Sequence, residues 1–528
     1  MIIRVFHNLI FMVFISELGG GMETIFSKYS ETAERIDPIK CIGRVAKVQG
    51  LLIESDGPSA IIGEICRIES PKGQGQIKAE VVGLNKETVQ LMAFEKTDGI
   101  EIGNRVIASG MRLEVPVSRK LLGRVLDGLG SPMDGKGEIE SPVMYPAIAD
   151  PPDPLKRPRV KERIVTGVRA IDGLLAVGKG QRLGIFAAAG AGKTTLLGMI
   201  ARNTNADVNV IALIGERGKE VNDFIERALG KEGLARSVIV VTPSNAPPLL
   251  RIRGAYVATA IAEFFRDQGK DVMMLFDSVT RIAWAYREKG LAAGEPVATK
   301  GYPPSMYEAM PKLLERSGNS ESGSITSFYN ILVEGDDMDE PVSDTVRGIL
   351  DGHIILSRQL AEAYHYPAID VLKSISRCAP EVQGPETEKA QSFIRKNMAV
   401  YASSEKAINY GAYSKGTNQA IDNAIELHGP IEEFLVQTVA ERTSLEETLD
   451  WMGEISGIAI PDSEIDGIKD NFPVQETNVY SRRVKKAGLE DIGEKPDLWN
   501  ASPTDSVAAF LSSFSNSNLQ PSGSAVNL

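Results

Sequence analysis

The sequence predicts an α/β protein in three successive parts: a small all-β barrel, a core built on a mostly parallel β-sheet, and a helical C-terminal domain. Between residues 40 and 115, short runs rich in β-branched residues are separated by Gly, Pro, Asn and Asp. After about residue 160, short apolar runs alternate with helical patterns. Residues 380–460 carry helical spacing with few strand signals. This order of patterns defines the fold class.

Length and composition indicate a soluble globular chain. Its 528 residues are enough for about three to four domains, and 43% hydrophobic with 24% charged residues is near the average for such proteins. The net charge of −12 argues against a chain that coats nucleic acid. Cys41, Cys66 and Cys378 have no pair spacing and fit free thiols in a reducing compartment. The four histidines form no ligand pair on one helix face, which argues against zinc.

Residues 1–39 are predicted to be an N-terminal extension that ends in a docking helix. The apolar stretch from Met1 to Ile15 is shorter than the about 20 residues of a membrane span, and it lacks the cleavage pattern of a signal peptide. We therefore favour Met22 as the translation start, which would leave residues 1–21 untranslated. The helix from Met22 to Ile36 fits packing on the next domain as well as docking to a partner or a membrane surface.

Residues 40–115 are predicted as the barrel domain and residues 116–380 as the α/β domain. The barrel lacks the aromatic and basic stripe of nucleic-acid-binding barrels, so we expect a structural or oligomerising role. The turn-rich stretch between Arg112 and Pro158 is expected to connect the two without forming elements. The predicted strands are Gly43–Val48, Leu51–Ile53, Ala60–Ile62, Gln76–Val82, Val89–Ala93 and Arg105–Ala108 in the barrel, and Leu183–Phe186, Val208–Ile214, Val238–Val241, Val272–Phe276 and Ile325–Val333 in the core.

The last two predicted regions differ in composition. Residues 381–460 are predicted as the helical domain, and Ile431–Ala440 is an example of its spacing. Residues 461–528 are predicted to be an extension that is largely disordered, because the stretch from Ala501 to Leu528 is rich in Ser, Asn and Pro and has little to bury.

The central motif is Leu183–Met199, where an apolar strand runs into small residues, Gly192-Lys193-Thr194 and a helix. This order is the context of a phosphate-binding P-loop, in which backbone N–H groups and the helix N-terminus surround phosphate oxygens. Lys193 can reach the β- and γ-phosphates, and the Thr194 hydroxyl can bind Mg²⁺. Ala187 departs from the glycine of the pattern, and an ordinary strand–helix turn is the alternative. The residues predicted to hold the nucleotide are Ala187, Ala188, Ala189, Gly190, Ala191, Gly192, Lys193, Thr194 and Thr195.

Two carboxylates come at the ends of candidate strands. Glu216 follows Val208–Ile214, where it could polarise a water aimed at the γ-phosphate. Asp277 ends the run Val272–Phe276, which is the position of a Walker-B carboxylate that orients Mg²⁺. The alternative for each is a carboxylate that caps the following helix.

Further motifs are spread over the core: Leu183–Met199, Leu213–Gly218, Tyr256–Gly269, Asp277–Arg281, Gly290–Pro296, Gly301–Ser305 and Ile349–Ile354. Together they resemble the ATPases of bacterial type III protein export, the flagellar and injectisome enzymes related to the catalytic subunit of rotary ATP synthases. The resemblance covers about residues 40–460. Leu51–Pro58 and Gly63–Cys66 are more similar to the flagellar branch, whereas Ala188 is more similar to the injectisome branch.

The resemblance implies a RecA-like P-loop core and assigns roles to residues. Lys193 and Thr194 match the phosphate and magnesium contacts, Glu216 the catalytic glutamate, and Asp277 the Walker-B acid. Arg217 follows in the motif of the glutamate and is included with the catalytic residues. Arg377 matches the arginine finger that reaches the γ-phosphate of a neighbouring subunit, and Tyr366 matches an aromatic residue that packs on adenine. Without the resemblance, Arg377 fits a surface ion pair and Tyr366 a core residue.

The resemblance also implies a function and partners. We expect a Mg²⁺-dependent ATP hydrolase that energises type III export, most directly of flagellar components, by releasing or unfolding chaperone-bound substrates at the export gate. The implied partners are identical subunits in a homohexameric ring, a stator-like negative regulator at the N-terminal helix, a central stalk protein, export substrates and chaperones, and the membrane export gate. The implied location is cytoplasmic, peripheral at the inner face of the cytoplasmic membrane.

Other functions remain as alternatives. An injectisome ATPase has the same family motifs. A rotary ATP synthase subunit shares the core fold. An RNA-translocating ring ATPase also shares it, but the barrel pattern predicts no nucleic-acid partner. A non-enzymatic scaffold conflicts with the joint presence of Lys193, Glu216 and Asp277, and a GTPase would need an Asn-Lys-x-Asp motif, which Asn85–Thr88 does not supply.

Overall fold

The computed structural model describes residues 42–465, except residues 70–74, 87, 142, 189 and 334–336. The predictions for the N-terminal extension, its docking helix and the stretch from residue 466 onward lie outside these residues. The bounds of the five predicted regions stay predictions. No helix within the described ranges is long and apolar enough to cross a membrane.

The first region is a closed antiparallel barrel, as predicted, and the structure gives its strand order as β1-β2-β5-β4-β3-β6. Its interior is apolar, with Ile53, Ile68 and Leu91 fully buried. One predicted strand is wrong. Ala60–Ile62 lies in a loop that exposes Ile61, and the Ile61 N–H donates to the Glu64 carboxylate at 3.1 Å. The strands are β1 (Ile42–Gln49), β2 (Leu52–Asp56), β3 (Glu64–Glu69), β4 (Gln76–Leu84), β5 (Val89–Ala93) and β6 (Arg105–Arg112).

The turn-rich connection does form elements, so that prediction is wrong. It contains β7 (Glu114–Val117), β8 (Arg124–Leu126) and β9 (Val143–Pro146), with β7 and β9 paired antiparallel. β8 adds a parallel edge strand to the central sheet. Arg124 donates to the Asp134 carboxylate at 2.7 Å, which also accepts the Val125 N–H. Side-chain bonds of this kind hold a three-residue strand that is too short to show a period in the sequence.

The central sheet has nine strands in the order β19-β18-β12-β17-β15-β13-β14-β8, with β16 beside β17. It is mostly parallel, and only β16 and β19 run antiparallel to their neighbours. The five predicted core strands are confirmed. After the separate pair β10 (Arg163–Ile164) and β11 (Val177–Gly178), the strands are β12 (Arg182–Ala187), β13 (Val208–Glu216), β14 (Ser237–Pro243), β15 (Asp271–Asp277), β16 (Gly318–Asn319), β17 (Ser324–Leu332), β18 (Gly352–Leu356) and β19 (Ile375–Ser376).

Helices cover both faces of this sheet, so alternate strand residues enter two different cores. Val210 and Ala212 of β13 lie in one core, while Ile211 and Leu213 lie in the other. The helices of the sheet domain are α1 (Arg169–Leu174), α2 (Lys193–Asn203), α3 (Gly218–Asp223), α4 (Gly230–Ala235), α5 (Pro248–Asp267), α6 (Val279–Ala292), α7 (Pro304–Leu314), α8 (Pro341–Ile349), α9 (Arg358–Glu362) and α10 (Ala379–Val382), with a π-helical turn at Phe224–Leu229 between α3 and α4.

The last described region is helical, as predicted: α11 (Pro385–Asn409), α12 (Gln419–Leu435) and α13 (Leu445–Ser456). The helix expected over Ile431–Ala440 ends at Leu435 instead. Arg169 donates to the carbonyl oxygens of Phe434 and Val436, and the Gln437 N–H donates to the Tyr366 carbonyl oxygen at 2.9 Å. Because these backbone groups bond to the sheet domain and not to the next helical turn, α12 ends here and the chain continues against the sheet domain.

Candidate active site

The predicted P-loop joins β12 to α2 at the carboxyl edge of the sheet. β12 ends at Ala187 and α2 begins at Lys193, whose Nζ donates to the Ala187 carbonyl oxygen at 3.2 Å. Gly190 and Gly192 have φ of 85° and 86°, in the left-handed region that favours glycine. Gly192 is the N-cap of α2 and provides no side-chain acceptor. The first turn of α2 therefore has the arrangement of an anion-binding helix N-terminus.

Ala187 stands where the P-loop pattern has glycine, and its backbone explains why alanine is tolerated. It is the last residue of β12 and pairs in register with Leu332 and Leu356. An extended strand residue needs no glycine. Ala189 lies outside the described residues. The other predicted nucleotide contacts of this segment follow Ala187 on the same loop and first helical turn: Ala188, Gly190, Ala191, Gly192, Lys193, Thr194 and Thr195.

Asp277 lies beside the P-loop at the end of β15. Its Oδ2 is 3.5 Å from the Thr194 Oγ1, and its side chain is buried. Burial raises the pKa of the Asp277 carboxyl, while Asn330, Lys193 and Thr194 act in the opposite direction. Asn330, on β17, is buried and neither of its amide atoms makes a hydrogen bond of good geometry with the described residues. The site thus holds a carboxylate and an amide whose bonding capacity the protein only partly uses.

Glu216 ends β13, the strand next to β15. Its Oε1 lies 3.7 Å from Arg281 Nε, which is too long for a hydrogen bond. Burial, with a contribution from the nearby Asp277 charge, raises the pKa of Glu216 to about 8. Burial also lowers the pKa of Lys193, while Asp277 and Glu216 oppose that shift. These opposite charges share one desolvated pocket, which is the electrostatic signature of a catalytic site.

Arg281 is a site residue that the sequence did not single out. It lies on α6, four residues after Asp277, and its guanidinium stacks over Trp284 at 4.8 Å from the ring centroid. Its Nε is buried without a hydrogen bond to the described residues. The sequence could have indicated Arg281 through its spacing from Asp277. A residue at the end of a strand and the first turn of the following helix lie at the same edge of the sheet.

Arg217 and Arg377 lie apart from this cluster. The Arg217 side chain is 78% exposed and its ion-pair partner is Glu220, at 3.7 Å. The Arg377 N–H donates to the Asp351 carbonyl oxygen at 3.0 Å, and the Asp351 N–H donates to the Arg182 carbonyl oxygen at 2.9 Å. Arg182 begins β12 and the P-loop follows its end, so Arg377 sits at the opposite edge of the sheet, about 15–20 Å away at about 3.3 Å per residue.

Tyr366 lines a cavity of about 590 Å³ that begins at the P-loop. The walls carry no charged side chain, and Gly192 lies against the Tyr366 ring. The lining residues are Gly190, Ala191, Gly192, Thr195, Leu196, Met199, Leu356, Tyr364, Tyr366, Pro367, Ala368, Val436, Gln437, Thr438 and Val439. An uncharged cavity beside a phosphate loop fits the base and ribose of a nucleotide.

Three family models match the chain. "ATP synthase alpha/beta family, beta-barrel domain" matches residues 45–110, and "ATP synthase alpha/beta family, nucleotide-binding domain" matches residues 167–376. "T3SS EscN ATPase C-terminal domain" matches residues 384–454. The three matches follow the order barrel, sheet domain and helical domain of the structure.

Curated relatives and solved structures agree with these models. The chain is 52% identical to the "Flagellum-specific ATP synthase" of Treponema pallidum over 83% of this chain and 98% of the relative. It is 46% identical to the "Type 3 secretion system ATPase" of Xanthomonas euvesicatoria over 78% and 94%. The assembled ATPase EscN from the enteropathogenic E. coli type III secretion system superposes with a TM-score of 0.75 at 43% identity, covering 78% of this chain and all of EscN.

The fold and the site define a P-loop ATPase built on the plan of the ATP synthase alpha/beta subunits. The predictions of a RecA-like P-loop core between a barrel and a helical domain, and of an ATP hydrolase, are confirmed. The chain belongs to the ATPases of type III protein export, the family that contains the flagellum-specific and the type 3 secretion enzymes.

Proposed function

We propose that the chain is the Mg²⁺-dependent ATP hydrolase that energises flagellar protein export. The convergence of Lys193, Thr194, Glu216 and Asp277 at the carboxyl ends of β12, β13 and β15 carries the hydrolase part of this proposal. The flagellar part is supported by the three flagellum-specific relatives at 52%, 50% and 48% identity.

Each residue of the cluster has a distinct role. The P-loop N–H groups and Lys193 bind the phosphates, and Tyr366 packs on the adenine. Thr194 and Asp277 present the oxygen ligands that Mg²⁺ prefers, and the bound ion would neutralise charge on the β- and γ-phosphates. Glu216 orients the attacking water and accepts its proton, which suits a carboxyl group whose pKa is raised to about 8. Arg281 supplies positive charge near this glutamate, whereas the exposed Arg217 side chain pairs with Glu220 and would act only if it turned toward the site.

Arg377 acts on the site of a neighbouring subunit. The sheet separates Arg377 from the P-loop of its own chain, so a single chain lacks the finger that stabilises the transferred phosphoryl group. We infer a homohexameric ring with sites at the interfaces around a central stalk protein. Solved relatives support this inference, since EscN has been solved as an assembled ATPase and as an assembled ATPase in complex with its central stalk EscO.

The wider export function follows from the same family. ATP hydrolysis would release or unfold chaperone-bound export substrates at the membrane export gate. The enzyme would be cytoplasmic and peripheral at the inner face of the membrane, with a stator-like negative regulator at the helix predicted for the N-terminal extension and no nucleic-acid partner. An injectisome ATPase is the second candidate, because Ala188 and the EscN similarity point to that branch.

A mixing experiment with two single variants of the full chain tests the interface site. Glu216→Gln and Arg377→Ala should each bind ATP but lose turnover, because one lacks the base and the other the finger. Mixing them in equal amounts should restore activity, since roughly a quarter of the interfaces in random rings pair an intact Glu216 with an intact Arg377. Loss of ATP binding in Arg377→Ala, or a mixture as inactive as its parts, would contradict the assignment of Arg377.

A further inference from the structure

Tyr364 has an unusual backbone conformation near the nucleotide cavity. It follows the last turn of α9 with φ of 59°, and besides Lys300 it is the only non-glycine residue with positive φ in the described part of the chain. Its N–H donates to the Ala361 carbonyl oxygen at 3.1 Å, and the His365 N–H donates to the Leu360 carbonyl oxygen at 2.9 Å. These two bonds form a Schellman motif, whose left-handed position is normally glycine.

An aromatic residue at this position destabilises the free protein. The left-handed conformation is unfavourable for any residue with a Cβ, and bulky side chains adopt it rarely. Packing does not offset that cost, because Tyr364 is 86% exposed. Its hydroxyl has no hydrogen bond to the described residues, and its ring makes no aromatic contact with them. Strain without a folding benefit points to a ligand or partner contact.

The surroundings of Tyr364 indicate which ligand. It lines the 590 Å³ cavity together with Tyr366, two residues further along the same loop, and with P-loop residues including Gly192. The cavity lining is uncharged. Gln437, the amide side chain in the lining, already donates to the Gly167 carbonyl oxygen at 2.9 Å and accepts the Arg169 N–H at 3.0 Å. The cavity therefore suits recognition of a flat apolar group by stacking rather than by hydrogen bonds to its edge.

We propose that Tyr364 is a second aromatic contact for the base of the bound nucleotide, so that both Tyr364 and Tyr366 stack on it. This inference rests on the proposed function, in which the P-loop beside the cavity binds ATP. Stacking on two rings favours the larger purine base over a pyrimidine, and it leaves the triphosphate contacts unchanged. The strain at Tyr364 is then the cost of keeping an aromatic ring at the cavity.

The test measures the affinity of the full chain, with Mg²⁺, for ATP, CTP and inorganic tripolyphosphate by calorimetry. Tyr364→Gly restores the preferred residue of the motif and removes the ring. Its Kd for ATP should rise about tenfold, equal to about 1.4 kcal/mol, its Kd for CTP about threefold, and its Kd for tripolyphosphate should not change. The unfolding temperature of its nucleotide-free form should rise by about 1–3 °C.

Two further variants make the result specific. Tyr364→Phe keeps the ring and should bind ATP as the wild type does. Tyr410→Ala removes a tyrosine that is 85% exposed at the end of α11, outside the cavity lining, and should also bind normally.

Several outcomes would overturn the proposal. One is an unchanged Kd for ATP in Tyr364→Gly, and another is an equal weakening of ATP and tripolyphosphate binding. A changed dependence of ATPase activity on protein concentration, with normal ATP affinity, would assign Tyr364 to a subunit contact instead. A wild-type chain that binds neither ATP nor tripolyphosphate would overturn this proposal together with the proposed function, whereas the first three outcomes leave the proposed function intact.

Discussion

Charged side chains lie buried or partly buried in two regions of this molecule, and they are bonded in different ways. Between the barrel and the sheet domain, Arg253 Nε donates to Glu80 at 2.6 Å, and inside the sheet domain Arg316 Nε donates to Glu263 at 2.9 Å. In the active site, by contrast, the nearest approach of Arg281 to Glu216 is a 3.7 Å ion pair. The first pairs satisfy each other, whereas the site charges are held close without being fully paired.

This difference separates charges that satisfy each other within the fold from charges whose bonding capacity the protein leaves partly unused. A buried carboxylate with a bidentate arginine has its hydrogen-bonding capacity satisfied, and any ligand would have to displace that partner. Partly buried charges with unused bonding capacity can still bind phosphate or metal. Their desolvation lowers the stability of the free protein. Four variants test whether bonding, rather than burial alone, distinguishes the two regions.

Removal of a fully paired arginine should have the largest effect on stability. Arg316 is fully buried, and Arg316→Leu leaves the Glu263 carboxylate buried without its partner. The free energy of unfolding should fall by about 3–5 kcal/mol, and the double variant Glu263→Leu/Arg316→Leu should recover much of it. Urea unfolding followed by circular dichroism measures both. If the double variant is as unstable as the single one, the loss of stability comes from the lost packing of the arginine side chain and not from the unpaired carboxylate.

Removal of the loosely paired arginine should instead affect turnover. Arg281→Met should lower the rate of ATP hydrolysis by about 10²–10³-fold with little loss of stability, because its Nε has no hydrogen bond to the described residues. Arg287→Met is the matched control, since Arg287 lies on the same helix and stacks over Tyr302 at 5.4 Å. Equal losses of activity in the two variants would remove Arg281 from the site.

The raised pKa of Glu216 predicts a pH-dependent stability difference. Its pKa is raised from 4.5 to about 8, so the protonated form favours the folded state, and that stabilisation is fully present below pH 4.5 and is lost progressively as pH rises to about 8. Without nucleotide and Mg²⁺, Glu216→Gln should exceed the wild type in free energy of unfolding by about 1–2 kcal/mol near pH 9, with no difference near pH 4. A difference that is constant with pH would contradict the burial of this charge.

An exposed ion pair should show the smallest effect. Lys312 and Glu308 are one helical turn apart on α7, and both side chains are more than half exposed. Lys312→Ala should leave the free energy of unfolding nearly unchanged, and added salt should remove any remaining difference. A cost comparable to that of Arg316→Leu would mean that distance between charges, not burial and bonding, sets these energies.

Features with a local signature could be predicted from the sequence. The strands that precede Lys193, Glu216 and Asp277 are short apolar runs, and a parallel sheet brings their carboxyl ends together whatever their order. The P-loop needs only small residues in a fixed spacing. These patterns were therefore enough to assemble the phosphate side of the site.

Other features depend on contacts between distant residues and had no local signature. The strand β8 is held by the Arg124–Asp134 pair, and the end of α12 is set by bonds to Arg169. Ala60–Ile62 is apolar enough for a strand but lies in a loop fixed by the Glu64 carboxylate. The strain at Tyr364 depends on where α9 ends, which the sequence does not mark with glycine.

The end of α12 connects the helical domain directly to the wall of the nucleotide cavity. The segment after Leu435 forms part of the cavity wall, and its Gln437 N–H bonds to the carbonyl oxygen of Tyr366. One turn back, Glu432 lies 2.9 Å from Nδ1 of His365, the residue between the two cavity tyrosines. A load applied to the far end of α12, about 25 Å away, would tilt this wall. By reciprocity, any displacement of this wall that changed nucleotide affinity would in turn be favoured or opposed by the bound nucleotide.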